Sequence, residues 1–221
     1  MARRVPSFAK VPEALGAHID AEELLDLFAE GDAQVGNTAF VGLELSYEDA
    51  GSATFDTVAF RGCTFDGVDF SGCTFRDVRF QGCRFIRCSM DRAWLNRCDM
   101  VDCSAPGLSL LQARLAGVAV SSSDLSYANL SECTVDVLCM RAVRLIEAAM
   151  QRTRLKRAEF DGCDLTRIDV FGTPLAGIDL STCEFAAPVL SSDFRELRGA
   201  KVSVEQALAL VGLLGVTVAD D

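Results

Sequence analysis

The chain has one histidine, His18, and no Cys-x-x-Cys pair among its 10 cysteines. It also has no glycine-rich phosphate loop before a helix. Zinc sites, acid–base centres and nucleotide-hydrolysing sites are built from such groups. The expectation is therefore a protein that is not an enzyme, with no catalytic residue, no metal and no cofactor. No run of about 18 uncharged apolar residues is present, so no membrane-spanning helix is expected. Met1 to Lys10 is basic but mixed, and Val11 to Ile19 is broken by Pro12, Glu13 and Gly16. That is unlike a signal peptide, so the expected compartment is the cytoplasm. Positive charge is in deficit too: 21 Lys and Arg face 32 Asp and Glu, a net charge of −11. Nucleic acid is disfavoured as a partner.

What the chain does have is a period of five. Every residue whose number is a multiple of five, from Phe40 to Leu190, is Phe, Leu, Met, Val or Ala. Chance would produce this roughly once in a billion trials at 50% apolar content. Five matches neither a helix nor a strand; it marks a repeat architecture. The residue two before these centres is small or apolar everywhere but at Glu48, and the other three positions carry nearly all the charge. Two inward positions in five make one flat side and a turn per pentapeptide. Four sides then close a coil of about 20 residues, and coils stack at strand spacing.

The cysteines obey the same rule. Cys63, Cys73, Cys83, Cys88, Cys98, Cys103, Cys133, Cys163 and Cys183 all sit two before a centre, in a slot filled in most other repeats by Ala, Val, Thr or Ile. They read as reduced, buried, small hydrophobes rather than a disulfide framework. Cys139 falls one before a centre and is expected to face outward, open to thiol reagents but without a histidine partner.

At this point the sequence resembles the pentapeptide-repeat family, whose consensus is Ala-Asp/Asn-Leu-x-x. Ala128-Asn129-Leu130-Ser131-Glu132 and Cys163-Asp164-Leu165-Thr166-Arg167 fit it. The resemblance implies an all-β, right-handed quadrilateral β-helix with about seven to eight coils. Residues one coil apart should stack: Phe60 on Phe80, Phe65 on Phe85, Phe55 on Phe75. Glu48, in an inward slot, suggests an irregular first coil. Ala105-Pro106-Gly107 suggests a bend or a disturbed ladder, since proline cannot donate a backbone hydrogen bond.

The expected division is a cap over residues 1–37, the β-helix over 38–192 and a C-terminal segment over 193–221. Asp20 to Phe28 reads as a short amphipathic lid helix, with Asp20 as N-cap and Glu23 three residues on. Ser203-Val204-Glu205-Gln206 is a capping box opening a helix from Val204 to Leu214, with Gly215 as the stop and a short strand over 216–218. That helix is apolar nearly all round, so it should be buried on more than one side. A homodimer is expected, with Val204, Ala207, Leu208, Leu210, Val211, Leu214, Val216 and Val218 at its interface. This tail resembles that of the Qnr/MfpA group of pentapeptide-repeat proteins. The resemblance implies dimerisation through the tail and binding to DNA gyrase, a type II topoisomerase, as a DNA mimic, with fluoroquinolone resistance as the outcome.

The charge distribution bears on that expectation. Residues 38–157 hold 14 acidic and 14 basic groups. Residues 158–190 hold Glu159, Asp161, Asp164, Asp169, Asp179 and Glu184 against Arg167 alone, and these six acids are the candidate partner-binding residues. A tail-to-tail dimer would pool them around its axis and attract a basic two-fold surface. Arginines elsewhere on the coils (Arg84, Arg87, Arg92, Arg97, Arg152, Arg154, Arg157, with Lys156) argue against mimicry along the whole rod. The unbroken register leaves no projecting loop, which favours an inhibitor of gyrase over a protector. The competing reading is a scaffold module that docks an unrelated protein on one side. The side centred on 55, 75, 95 and onward sums to +3, and that centred on 50, 70, 90 and onward to −4.

Overall fold

A computed structural model describes residues 6–213, 215–217 and 219. Its repeats are wound into a parallel β-solenoid. Gln34 pairs with Thr54, Thr54 with Thr74, Thr74 with Trp94, Trp94 with Arg114, and Arg114 with Thr134, each step being 20 residues (54 − 34). These strands form one parallel sheet; Glu44–Ser46, Thr64–Asp66 and Arg84–Ile86 form a second. The remaining sides are joined by single bridges, such as Asp49 to Asp69 to Ser89.

The corners explain the period. From Asn37 to Ala187, every residue with positive φ has a number ending in 2 or 7, two places after a centre. The left-handed conformation there swings the chain round each corner. Glycine fills many of these positions. At Gly67 it also makes room, because an added Cβ would lie 2.7 Å from the Tyr47 ring.

Inside the rod the expected ladders form. Phe40, Phe60 and Phe80 stack with centroids 5.2 and 5.1 Å apart, and Phe55 lies 5.1 Å from Phe75. Phe65 and Phe85 are 5.1 Å apart but tilted by 32°. Neighbouring columns meet edge to face, as at Phe60 and Phe65, 5.5 Å apart. The nine slot cysteines are buried free thiols. Their role exceeds bulk, however. Cys63 Sγ reaches Phe40 O at 3.5 Å, Cys73 Sγ reaches Ala50 O at 2.9 Å and Cys133 Sγ reaches Leu110 O at 3.0 Å. Each thiol donates to the carbonyl 23 residues back (63 − 40). Thr153 Oγ1 does the same to Leu130 O at 2.6 Å.

Two expectations about irregularity come out differently. The first coil is regular: Ala50 is buried and Asp69 N bonds Glu48 O at 2.9 Å. Glu48 is tolerated because its end coil leaves its side chain half-buried rather than enclosed. At Pro106 the ladder is disturbed as expected. The second sheet stops at Arg84–Ile86, and the next coil keeps only the Arg84–Ser104 bridge. Stacking bonds persist on either side of the proline, from Ala105 N to Asp124 O and from Gly107 N to Ser126 O, both 2.8 Å.

Both ends are covered. Helix α1, Ala21–Glu30, is capped by Asp20, whose carboxylate accepts from Glu23 N, and buries Leu24 and Phe28. Phe28 meets Phe55 edge to face at 6.3 Å, so α1 closes the first coil as a lid. Ahead of it runs an arm that the sequence did not signal. Asp99, 3% exposed, accepts from Ser7 Oγ (2.6 Å), Phe8 N (2.9 Å) and Ala9 N (3.3 Å). Asp77 accepts from Lys10 N at 3.0 Å and from Arg97 Nε at 2.7 Å. The Phe8 ring lies over Gly117, where a Cβ would meet it at 3.6 Å. Ala119, paired with Asp99, and Ala59, two coils away in the same column, are buried as well.

At the other end the register lengthens: Asp179 bridges Lys201, a step of 22 (201 − 179), and the irregular segment between them makes the last turn. Helix α2, Val204–Leu213, follows. Of the strand expected over 216–218, Val216 and Thr217 lie in no strand among the described residues, and Val218, like Leu214 of the expected helix, lies outside the described residues.

Asp99→Ala should release the arm, since it strands two amides and a hydroxyl at about 2 kcal/mol. Trypsin cleavage after the exposed Lys10 should quicken about tenfold or more, with the coil otherwise intact. An unchanged rate would mean that Asp99 does not hold the arm.

Candidate partner-binding surfaces at the C-terminal end

The six candidate acids encircle the last coils rather than forming one strip. Glu159 and Asp179 lie one coil apart (179 − 159 = 20) on the side that also holds Asp161. Asp164 and Glu184 are bridged neighbours on the next side, and Asp169 lies on the third. The fourth side, Thr173 to Gly177, carries none. Glu159, Asp179 and Glu184 are exposed; Asp161, Asp164 and Asp169 are half-buried.

Their charge is less concentrated than a segment count implies, because the compensating cations come from other coils. Arg141 Nε lies 3.0 Å from Asp161, and Lys201 Nζ lies 2.6 Å from Asp179. Lys201, aided by Ser181, holds the Asp179 carboxyl down at about 2. Asp164 accepts from Thr166 N at 3.0 Å, and Asp169 from Phe171 N at 3.0 Å and Gln151 Nε2 at 2.6 Å. Arg167, the one cation counted within the segment, pairs instead with Glu147.

Helix α2 starts with the expected capping box. Gln206 N donates to Ser203 Oγ at 3.2 Å, and Ser203 N to Gln206 Oε1 at 2.7 Å. The same Gln206 amide docks the helix: its Nε2 reaches Leu180 O at 2.9 Å and Cys183 O at 2.6 Å. Gln206 is the buried residue of the helix, and Leu210 packs partly against the core. Val204, Leu208, Leu213 and Val216 are exposed at 72%, 50%, 43% and 53%, while Ala207, Leu210 and Val211 are half-buried. An apolar face of this helix is therefore left in solvent.

In the short turn Arg195–Leu197 ahead of α2 sits a second residue that nothing in the sequence pattern singles out. Glu196, 1% exposed, accepts from Gly172 N (2.8 Å), Ser191 N (3.2 Å) and Ser191 Oγ (2.6 Å). Burial works to raise its pKa, but these donors hold the carboxyl below its ordinary value. Cys139 is half-buried, and burial followed by the nearby Glu159 pushes its thiol up, which lowers its reactivity. Among the described residues no helix is long and apolar enough to cross a membrane.

This geometry is a parallel β-helix wound from five-residue steps. Residues 50–94 match the family model described as pentapeptide repeats, in 9 copies. The chain is similar to a trypsin-treated variant of QnrB1, described as a plasmid-mediated fluoroquinolone resistance protein. Identity is 21% over 85% of this chain and 99% of that one, with a TM-score of 0.38. Full-length QnrB1 is 22% identical over 83% of this chain and 100% of its own, with a TM-score of 0.27. HetL, a pentapeptide-repeat protein involved in heterocyst differentiation regulation in the cyanobacterium Nostoc, is 18% identical over 84% and 98%, with a TM-score of 0.32. No curated protein matches the chain.

Glu196→Gln should destabilise the C-terminal turn by about 2 kcal/mol at neutral pH, because its donors then face an amide. In a chain of this size that is a fall in Tm of about 4–8 °C. A carboxyl with a depressed folded pKa stabilises above its unfolded value, near 4.5, and loses that contribution as pH falls through the folded value. The gap between wild type and variant should therefore close below about pH 4.5. A gap independent of pH would exclude an ionised Glu196.

Proposed function

We propose that this chain is a non-enzymatic binding protein that pairs tail to tail through α2 and presents its acidic last coils to a type II topoisomerase, DNA gyrase. The observation that carries the reading is the apolar face of α2, with Val204 and Leu208 half or more exposed. A monomer has no use for it, and a second copy laid across it buries Val204, Ala207, Leu208, Leu210 and Val211. Val216, also exposed, extends the same interface. Two copies joined there bring both acidic belts to one two-fold axis, and Glu159, Asp161, Asp164, Asp169, Asp179 and Glu184 then face a basic, two-fold DNA-binding surface. The tail's resemblance to the Qnr/MfpA group supports gyrase as the owner of that surface, with quinolone or gyrase-poison resistance as the consequence. The coils carry no inserted loop between Gln34 and Leu190, which supports inhibition rather than protection. The site of action is then the cytoplasm. A second reading, a scaffold for an unrelated acidic protein, draws support from the +3 side alone.

Leu208→Glu should convert a dimer into a monomer in analytical ultracentrifugation without unfolding it, since Leu208 is half exposed in one chain. The wild-type protein should inhibit gyrase supercoiling at micromolar concentration, less so in added salt. Replacing Asp161, Asp164 and Asp169 by Asn should weaken inhibition by about tenfold, two or three screened contacts at about 0.5 kcal/mol each. A monomeric wild type would remove the dimer. A dimer without effect on gyrase would remove the target and leave the scaffold reading.

A further inference from the structure

The rod loses its regularity on the side that carries no belt acid. At the corner two places after the centres 35, 55, 75, 95 and 115, the residues Asn37, Thr57, Asp77, Arg97 and Gly117 all have positive φ. Val137 and Arg157, next in that column, do not. A β-branched valine disfavours the left-handed conformation, and the ladder adjusts: its register shifts between Leu115 and Val118, where Ala116 pairs with Val137. One coil on, the long strand breaks into Arg154–Leu155 and Ala158–Asp161. One coil further, Pro174 has no N–H to continue the series Thr134 N to Ala113 O and Arg154 N to Cys133 O. The Thr173 hydroxyl accepts from Thr153 N at 2.8 Å and donates to Met150 O, holding the coil closed behind the gap.

The result is a cleft of about 830 Å³ on that side of the rod. Its floor is apolar because Leu155 has surfaced. Val35, Phe55, Phe75, Leu95, Leu115, Val135 and Leu175, the other centres of that column, are at most 3% exposed, whereas Leu155 is half-buried. Its rim is basic: Arg114, Arg152, Arg154 and Lys156 face one acid, Asp136. Lys156 Nζ is engaged with Asp136 at 2.9 Å, and Arg152 approaches Glu132 at 4.0 Å. Arg114 lies over the Trp94 ring at 5.9 Å. Among the described residues no carboxylate forms an ion pair with Arg114 or Arg154. Two unneutralised guanidinium groups thus stand in one column, two coils apart, beside exposed core surface in a protein of net charge −11.

We propose that this cleft binds a small amphiphilic anion: a flat apolar body against Leu155 and Pro174, with a phosphate or like oxyanion held by Arg154 on the basic rim. The volume is that of a small-molecule site, and guanidinium forks match oxyanion geometry. Neither feature alone suffices, since exposed ion pairs are weak in water and the floor alone shows no preference for charge. The site is independent of α2 and of any topoisomerase.

Calorimetric titration of the full chain with 1-naphthyl phosphate tests it. Saturable binding is expected, at least tenfold tighter than inorganic phosphate or 1-naphthol alone. Arg154→Ala should weaken it at least tenfold, and Arg84→Ala, an exposed arginine on another side, should leave it unchanged; circular dichroism confirms that both variants fold. Absence of saturation up to about 1 mM would overturn the proposal. So would equal binding by Arg154→Ala, or loss of binding in Leu208→Glu, which would place the ligand on the α2 face.

Discussion

A left-handed residue two places after nearly every centre is the constraint on which the rest of this molecule depends. It turns the chain at fixed intervals, and fixed intervals put every backbone group opposite its counterpart one coil away. Once that register of 20 exists, identical side chains meet identical side chains. Phenylalanines stack face to face, and thiols reach the carbonyl of the coil behind. No single such contact is strong. The rod is stable because each coil repeats its neighbour's bonds, so that stability is a sum over adjacent coils. Where the corner residue changes character, at Val137 and Arg157, the sheet breaks within one coil and the core surfaces at Leu155.

Charge follows the same geometry. Arg76 pairs with Asp56, Arg97 with Asp77, Arg144 with Asp124, Arg141 with Asp161 and Arg152 with Glu132, every pair being 20 residues apart. Each exposed pair contributes little, about 0.2–1 kcal/mol. Together they neutralise the middle of the rod in vertical lines, which is why residues 38–157 balance their 14 acids with 14 bases. The acidic belt is what remains where this vertical pairing thins towards the last coil. Its members lie on three sides because the repeat places its polar positions on every side, so its shape is a collar rather than a strip.

The fold was legible because its cause is periodic. Phe40 to Leu190 reveal the core by number alone, and Asp20 and Ser203 announce both helices through capping patterns that the structure reproduces. The corner rule was equally legible, in glycines such as Gly62, Gly72 and Gly82, though it needs φ to give it meaning. What could not be read is what departs from the period. Asp77 and Asp99 look like ordinary outward acids among many, and nothing local says that Ser7 to Lys10 will return to bond them across 67 residues and more. Glu196 and Gln206 look like surface polar residues, yet each is buried because the chain end must satisfy the open backbone of the last coil. Glu48 misled for the converse reason: its slot faces inward in the repeat, but at the rod's end the repeat has no neighbour to enclose it.

The two ends solve one problem with opposite chemistry. A stacked coil that stops leaves amides and carbonyls unpaired over an apolar section, a ready template for a foreign strand. At the first coil α1 answers with hydrophobic contact, pressing Leu24 and Phe28 onto the section while its charged face meets water. At the last coil the answer is polar: Gly172 N goes to Glu196, and the Leu180 and Cys183 carbonyls go to Gln206. Polar docking satisfies the open backbone without consuming α2's apolar surface. A helix that needed only to seal the rod would place its leucines inward, as α1 does. That α2 is fastened mainly through Gln206, with Leu210 packed partly against the core and Val204 and Leu208 left outside, is what sets the second cap apart from the first.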